Sequence, residues 1–232
     1  MRTMIRTTIL VIAGLVAAQC AMALPVHISR VGGYYYGDGG EFTAAGTALN
    51  ANYSASALVA GSGGVGFQTF CLERDEYVTL PGWYDYTIGN AAVDGGVGGP
   101  SPDPLSWGTA WLYSQFAAGS LGGYNYGAGR STSARYLQEA IWWLEHELAS
   151  YTAGNVFVAA AIAQFGTAAA ARADATAGAY NVYALNLTSN RGQTLNQSML
   201  VIRVADGGLT VLMLGVGVMG CAIIRRKLAK VS

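Results

Sequence analysis

Along residues 26–88, apolar and polar residues alternate in short runs separated by glycine-rich breaks. The runs 26–36, 40–46, 54–60, 65–73, 76–80 and 83–88 are rich in β-branched and aromatic residues, which predicts strands. Within 65–73, the two-residue period puts Phe67, Thr69 and Cys71 on one side of the strand. Gln68, Phe70 and Leu72 fall on the other. The period then changes: Leu137, Ile141, Leu144 and Leu148 recur at spacings of four, three and four, an apolar stripe that predicts a helix over 131–148. Ser131, Thr132 and Ser133 offer its N-cap. Gln138 stands beside the stripe, with Trp142 one turn on. Residues 105–118, loaded with Trp107, Trp111, Tyr113 and Phe116, predict a second helix, and the alanine-rich 155–173 a third. Residues 179–188 and 197–204 read as two closing strands, while 91–103 and 119–129 read as flexible loops. The expected fold class is α+β: a β-rich domain over 24–203, sandwich or barrel-like, with two to three packed helices.

The two ends do not fit that domain. Residues 1–23 hold Arg2 and Arg6, an apolar run over 9–18, and the small-x-small sequence Ala21-Met22-Ala23, the order of a secretory signal peptide cleaved after Ala23. Residues 204–232 begin with Val204-Ala205-Asp206-Gly207-Gly208, continue through the uncharged run 209–224, and end in the basic cluster of Arg225, Arg226 and Lys227. Those 16 residues would span about 24 Å as a helix, against about 30 Å of hydrocarbon. Snorkelling flanks or a thin bilayer make up the difference. The basic cluster predicts a cytoplasmic C-terminus and so an exported middle, tethered to the inner membrane by one transmembrane helix. Motif, apolar helix and arginine cluster in that order resemble the PEP-CTERM family of sorting tails, in its variant with Val-Pro-Asp before the helix. Here Ala205 stands where that variant has proline. The resemblance implies an exosortase-type sorting enzyme as partner, acting near Val204, Asp206, Gly207 and Gly208, and release to the cell envelope or extracellular matrix.

Charge sharpens what the domain is not. Residues 24–203 hold seven basic and twelve acidic residues, a net charge of −5, so no basic patch for nucleic acid is expected. There is no zinc-like Cys/His spacing and no phosphate-binding loop among the glycines, so no metal or cofactor is expected. His146, between Glu145 and Glu147, reads as part of a solvated helix face rather than a general base. No hydrolytic triad is found, and the chain is not expected to be an enzyme.

Three cysteines leave one in the domain, since Cys20 falls in the leader and Cys221 in the tail. An exported cysteine without a partner is unusual, and its commonest fate is a buried structural thiol. Two motifs open another reading. Phe70-Cys71-Leu72 resembles the aromatic-Cys-aliphatic motif of the thioester domains of bacterial surface adhesins. Leu137-Gln138-Glu139-Ala140-Ile141-Trp142 resembles their second motif, an aliphatic residue, Gln, any residue, then Ala-Ile-Trp. The resemblance implies an internal Cys71–Gln138 thioester that couples covalently to amine-bearing surfaces. Trp142, Phe70 and Ile141 are the residues expected to shield or support it. Residues 24–203 contain no lysine, which suits a protein that holds an amine-reactive bond and rules out a Lys–Asn isopeptide crosslink there. The alternative is a non-reactive matrix or biofilm protein of the same fold, with Cys71 merely buried.

Overall fold

The structure, a computed structural model, describes residues 25–203. The expected leader and the expected sorting tail, with Val204, Asp206, Gly207, Gly208, Arg225 and Arg226, lie outside those residues. Among the described residues no helix is long and apolar enough to cross a membrane.

The described chain runs β1 (Val26–Ser29), β2 (Phe42–Ala45), α1 (Thr47–Asn50), β3 (Leu58–Gly61), β4 (Gly64–Thr69), β5 (Gly82–Gly89), β6 (Ala91–Ala92), β7 (Asp103–Pro104), α2 (Trp107–Ala117), α3 (Ser131–Leu144), α4 (Val156–Phe165), α5 (Ala168–Ala171), β8 (Val182–Ser189) and β9 (Thr194–Ile202). It is a mixed α+β fold built on one large antiparallel sheet, in the order β3-β4-β2-β1-β5-β8-β9, with β6 and β7 as a separate ribbon.

The sheet is organised by what happens at the end of β4. Its first part pairs with β3, through Gly64 to Phe67, and with β2, through Phe67 to Thr69. β3 is left behind after Phe67, and beyond Thr69 the chain takes up β9, the strand at the opposite end of the order. Leu200 N–H donates to the Phe70 carbonyl at 3.2 Å, and Leu72 N–H donates to the Ser198 carbonyl at 2.8 Å. Cys71 faces Met199 between those two bonds.

Alternation along this seam divides the core. Phe67 and Cys71 point into one apolar cluster, with Ile28, Phe42, Leu185 and Met199. Phe70 and Leu72 point the other way, into a cluster shared with α2, α3 and α4. Leu137, Ile141 and Leu144 of α3 are fully buried in that second cluster, and burying each is worth about 2 kcal/mol.

Several expected elements change. Residues 76–80 form no strand, because the Tyr77 carbonyl accepts from Gln197 N–H (3.3 Å) and the segment runs as an irregular strap. The third helix is two, α4 and α5, since Gly166 adopts φ +82° and the chain restarts on the Thr167 cap, whose hydroxyl accepts from Ala170 N–H. Residues 26–36 are extended only through Ser29. The helix expected to reach 148 stops at Leu144, because His146 takes φ +67° and turns both neighbouring glutamates inward. Glu145 and Glu147 are therefore buried, not part of a solvated face.

Candidate functional site

Cys71 lies two residues past the end of β4, whose last pair is Thr69 with Phe42 of β2. Its own N–H and C=O face away from β9, on the side where a neighbouring strand would otherwise continue. Backbone groups buried there need partners, and the side chain of Gln138 supplies them. Gln138 Oε1 accepts from Cys71 N–H at 3.0 Å, and Gln138 Nε2 donates to the Cys71 carbonyl at 2.9 Å. The carboxamide thus takes the place of a strand neighbour, held in plane against the residue that carries the thiol. A second backbone donor, Gly40 N–H, reaches the same Oε1 at 3.4 Å. Cys71 and Gln138 are only 3% and 2% exposed. The structure brings together the two residues that the motifs singled out, 67 positions apart.

The 38–40 turn makes this approach possible. A Cβ on Gly39 would lie 2.7 Å from Gln138 Cγ and 3.0 Å from Trp142 Cη2, and Gly40 has φ +123° with Tyr35 packed against it. Two sets of interactions flank the turn. After it, Glu41 pairs with Arg130 and accepts from the Tyr124 hydroxyl. Before it, Arg30 donates to the carbonyls of Asp38 and Gly39.

Trp142 lies with Cys71 rather than with the helix-side core. It walls two adjoining cavities. One, of about 280 Å³, is lined by Arg30, Phe42, Cys71, Glu76 and Gln197. The other, of about 410 Å³, is lined by Tyr36, Asp38, Arg74, Arg135 and Gln138. Phe70 and Ile141, grouped with Trp142 in the sequence, are fully buried in the opposite cluster, behind Cys71 and Gln138. They pack the seam from its far side and do not cover the thiol.

Burial pushes the Cys71 thiol far above its ordinary pKa. The nearby Glu76 pushes the same way, and the Arg30 guanidinium opposes both. The resting thiol is neutral.

A second constellation begins two residues along the chain. Glu147 Oε2 accepts from Arg74 N–H (2.8 Å) and Val97 N–H (3.0 Å), and its Oε1 from Gly98 N–H (2.9 Å). The glycine-rich 95–99 loop is thus a backbone cage for a carboxylate of the protein's own. Glu145 accepts from Ser106 N–H (3.0 Å) and from its hydroxyl (2.6 Å). Glu73, 1% exposed, has Oε2 without a hydrogen-bond partner. Burial first, and then the charges of Glu147, Asp103 and Glu145, push its pKa to about 10, so it is protonated at neutral pH. Burial and Glu145 raise Asp103 to about 7. The only sequence signal for this group was the pair of acids closing an apolar stripe, with a glycine run able to present bare N–H groups. Among the described residues, no group of three or more His, Cys, Asp or Glu could hold a metal ion.

No family model, curated protein or solved structure matches this chain.

Proposed function

We propose that this is an exported surface or matrix protein whose domain forms an internal thioester between Cys71 and Gln138 for covalent attachment to amine-bearing surfaces. The observation that carries the reading is the docking of the Gln138 carboxamide on the Cys71 backbone, with Oε1 receiving two backbone N–H groups. An amide is a poor acyl donor. It becomes attackable when the reacting groups are held together and its oxygen faces fixed donors, as an oxyanion does. Cys71 Sγ attacks Gln138 Cδ, the C–Nε2 bond breaks, and the nitrogen leaves as ammonia with the thiol proton. The product is a thioester in a site largely closed to water, with Trp142 as the closing wall. A primary amine then attacks the same carbon, forms an amide at Gln138 and returns Cys71 to a thiol. The reaction consumes the bond once, so the protein is not a turnover enzyme and needs no cofactor.

In this reading residues 1–23 are removed on export and residues 209–224 tether the protein to the inner membrane. An exosortase-type partner then acts near Val204 to Gly208, and the domain passes to the envelope or matrix. Methylamine added to the native protein is expected to appear as an amide on Gln138 alone, mapped by peptide sequencing, and to be absent after denaturation or in Cys71→Ala. Methylamine found nowhere, or on other glutamines, would overturn the attachment chemistry.

A second reading has its own support. The carboxamide satisfies both backbone groups of Cys71, and burial keeps the thiol neutral. The pair would then be a structural plug just past the end of β4, in a non-reactive matrix protein.

A further inference from the structure

We infer that Arg30 is the positioning residue for the Cys71–Gln138 reaction, holding the second donor to the Gln138 carbonyl and supplying the positive charge that the Cys71 sulfur needs when it becomes a thiolate. This inference rests on the thioester reading for its reaction, though not for its effect on the thiol.

Arg30 follows directly on β1, and its guanidinium is fixed from three directions. The ring of Phe42 lies 4.5 Å from its central carbon and that of Tyr35 4.7 Å. Its terminal nitrogen donates to the carbonyls of Asp38 and Gly39, the two residues immediately before Gly40. Those bonds hold the turn in the orientation that aims Gly40 N–H at Gln138 Oε1. The Glu41–Arg130 pair anchors the other side of Gly40, so the donor is fixed from both sides. Nε of Arg30 is buried and has no hydrogen-bond partner among the described residues. A buried donor left over in a well-packed site is uncommon and calls for an explanation. The same side chain lines the cavity that Cys71 lines.

The charges around Cys71 make the role specific. Glu76 disfavours a thiolate, and Arg30 favours it. Near the thiol, Glu76 is occupied by accepting from Ser198 N–H (2.6 Å). Asp38 and Tyr35 face Arg30 itself. When amine attack expels Cys71, or when Cys71 first attacks Gln138, negative charge develops on sulfur and on Oε1 together. Arg30 serves the first directly and the second through Gly40.

The test compares Arg30→Met with Arg30→Lys in the full chain, reading the methylamine coupling rate by intact mass and the fold by thermal unfolding. Arg30→Met, which loosens the donor without removing it, is expected to slow coupling about 10- to 100-fold while remaining folded, less than the roughly 100- to 1000-fold that loss of an oxyanion donor itself costs. Arg30→Lys, which keeps the charge and loses the fork across two carbonyls, is expected to fall between. The Cys71 thiol freed by coupling is then alkylated at about pH 9. Arg30→Met is expected to react about tenfold more slowly than wild type, and Arg30→Lys at nearly the wild-type rate, a difference that a purely structural role would not produce. If wild-type protein shows no thioester, that reading fails alone, and alkylation of its free thiol carries the same comparison. Should Arg30→Met not fold, Arg30→Lys decides: slower coupling with unchanged alkylation is the expected pair of results. Coupling and alkylation at wild-type rates in either folded variant would overturn the inference.

Discussion

Helix α3 and the turn that ends it grip the four-residue segment 71–74 at two points, and the two grips differ in kind. At one end Gln138 meets Cys71 with a neutral carboxamide that both accepts and donates. At the other Glu147 meets Arg74 with a carboxylate that only accepts, while also holding Val97 and Gly98. A carboxylate in a cage of N–H groups is a strong anchor with no acyl chemistry to offer at neutral pH. A carboxamide is a weaker anchor whose carbon is an electrophile once its oxygen is held. The contrast shows how a side chain that fills a gap in a sheet can also be a reactive group, and why the stronger anchor lies beside it.

Removing the stronger grip should cost the most. Glu147→Ala leaves three N–H groups without their acceptor and is expected to destabilise the domain by about 2–4 kcal/mol in denaturant unfolding. A loss below 1 kcal/mol would mean the 95–99 loop does not depend on this cage. Gln138→Ala removes the weaker grip, with an expected loss of about 1–3 kcal/mol, so that a larger loss than in Glu147→Ala would invert the comparison.

The next effect is one of pH. In the unfolded chain Glu73 ionises near 4.5, whereas in the fold burial and Glu147 hold it at about 10. Between those values the native state keeps a proton that the unfolded state has lost, so this group's contribution to stability falls as pH rises from about 4.5 toward about 10. Glu73→Gln removes that titration. The variant is expected to gain stability relative to wild type steadily between about pH 5 and pH 9, read as a rising difference in melting temperature. A difference that stays constant across that range would show that Glu73 ionises normally in the fold. Smallest is the effect of Trp142→Phe, which trims the wall between the two cavities. Native thiol or thioester reactivity is expected to rise several-fold with little change in stability, and unchanged reactivity would deny Trp142 its shielding role.

How much of this was legible in the sequence follows the same division. The α3 stripe of Leu137, Ile141 and Leu144 was readable from spacing, and the short motifs around Cys71 and Gln138 pointed to each other. Which face of its strand Cys71 takes was not readable, because alternation gives two sides without naming the interior. That side is set by the switch of the chain from β3 to β9, a pairing across more than 120 residues. The carboxylate group was invisible for a related reason. Glu145 and Glu147 follow the helix in a sequence that reads as a solvated end, and only the distant N–H groups of Ser106, Val97 and Gly98 turn them inward. The strap at 76–80 has strand composition but spends its backbone on Gln197. Local pattern reports what a segment could be, and such long-range partners decide among the options.

The most direct test is the intact mass of the untreated native protein, compared with Cys71→Ala. The expected result is a wild-type mass one ammonia below that of its sequence, a deficit that Cys71→Ala lacks. A full mass in the wild type, with Cys71 titrating as a free thiol on unfolding, would contradict the thioester and leave the Gln138 contact as a purely structural one.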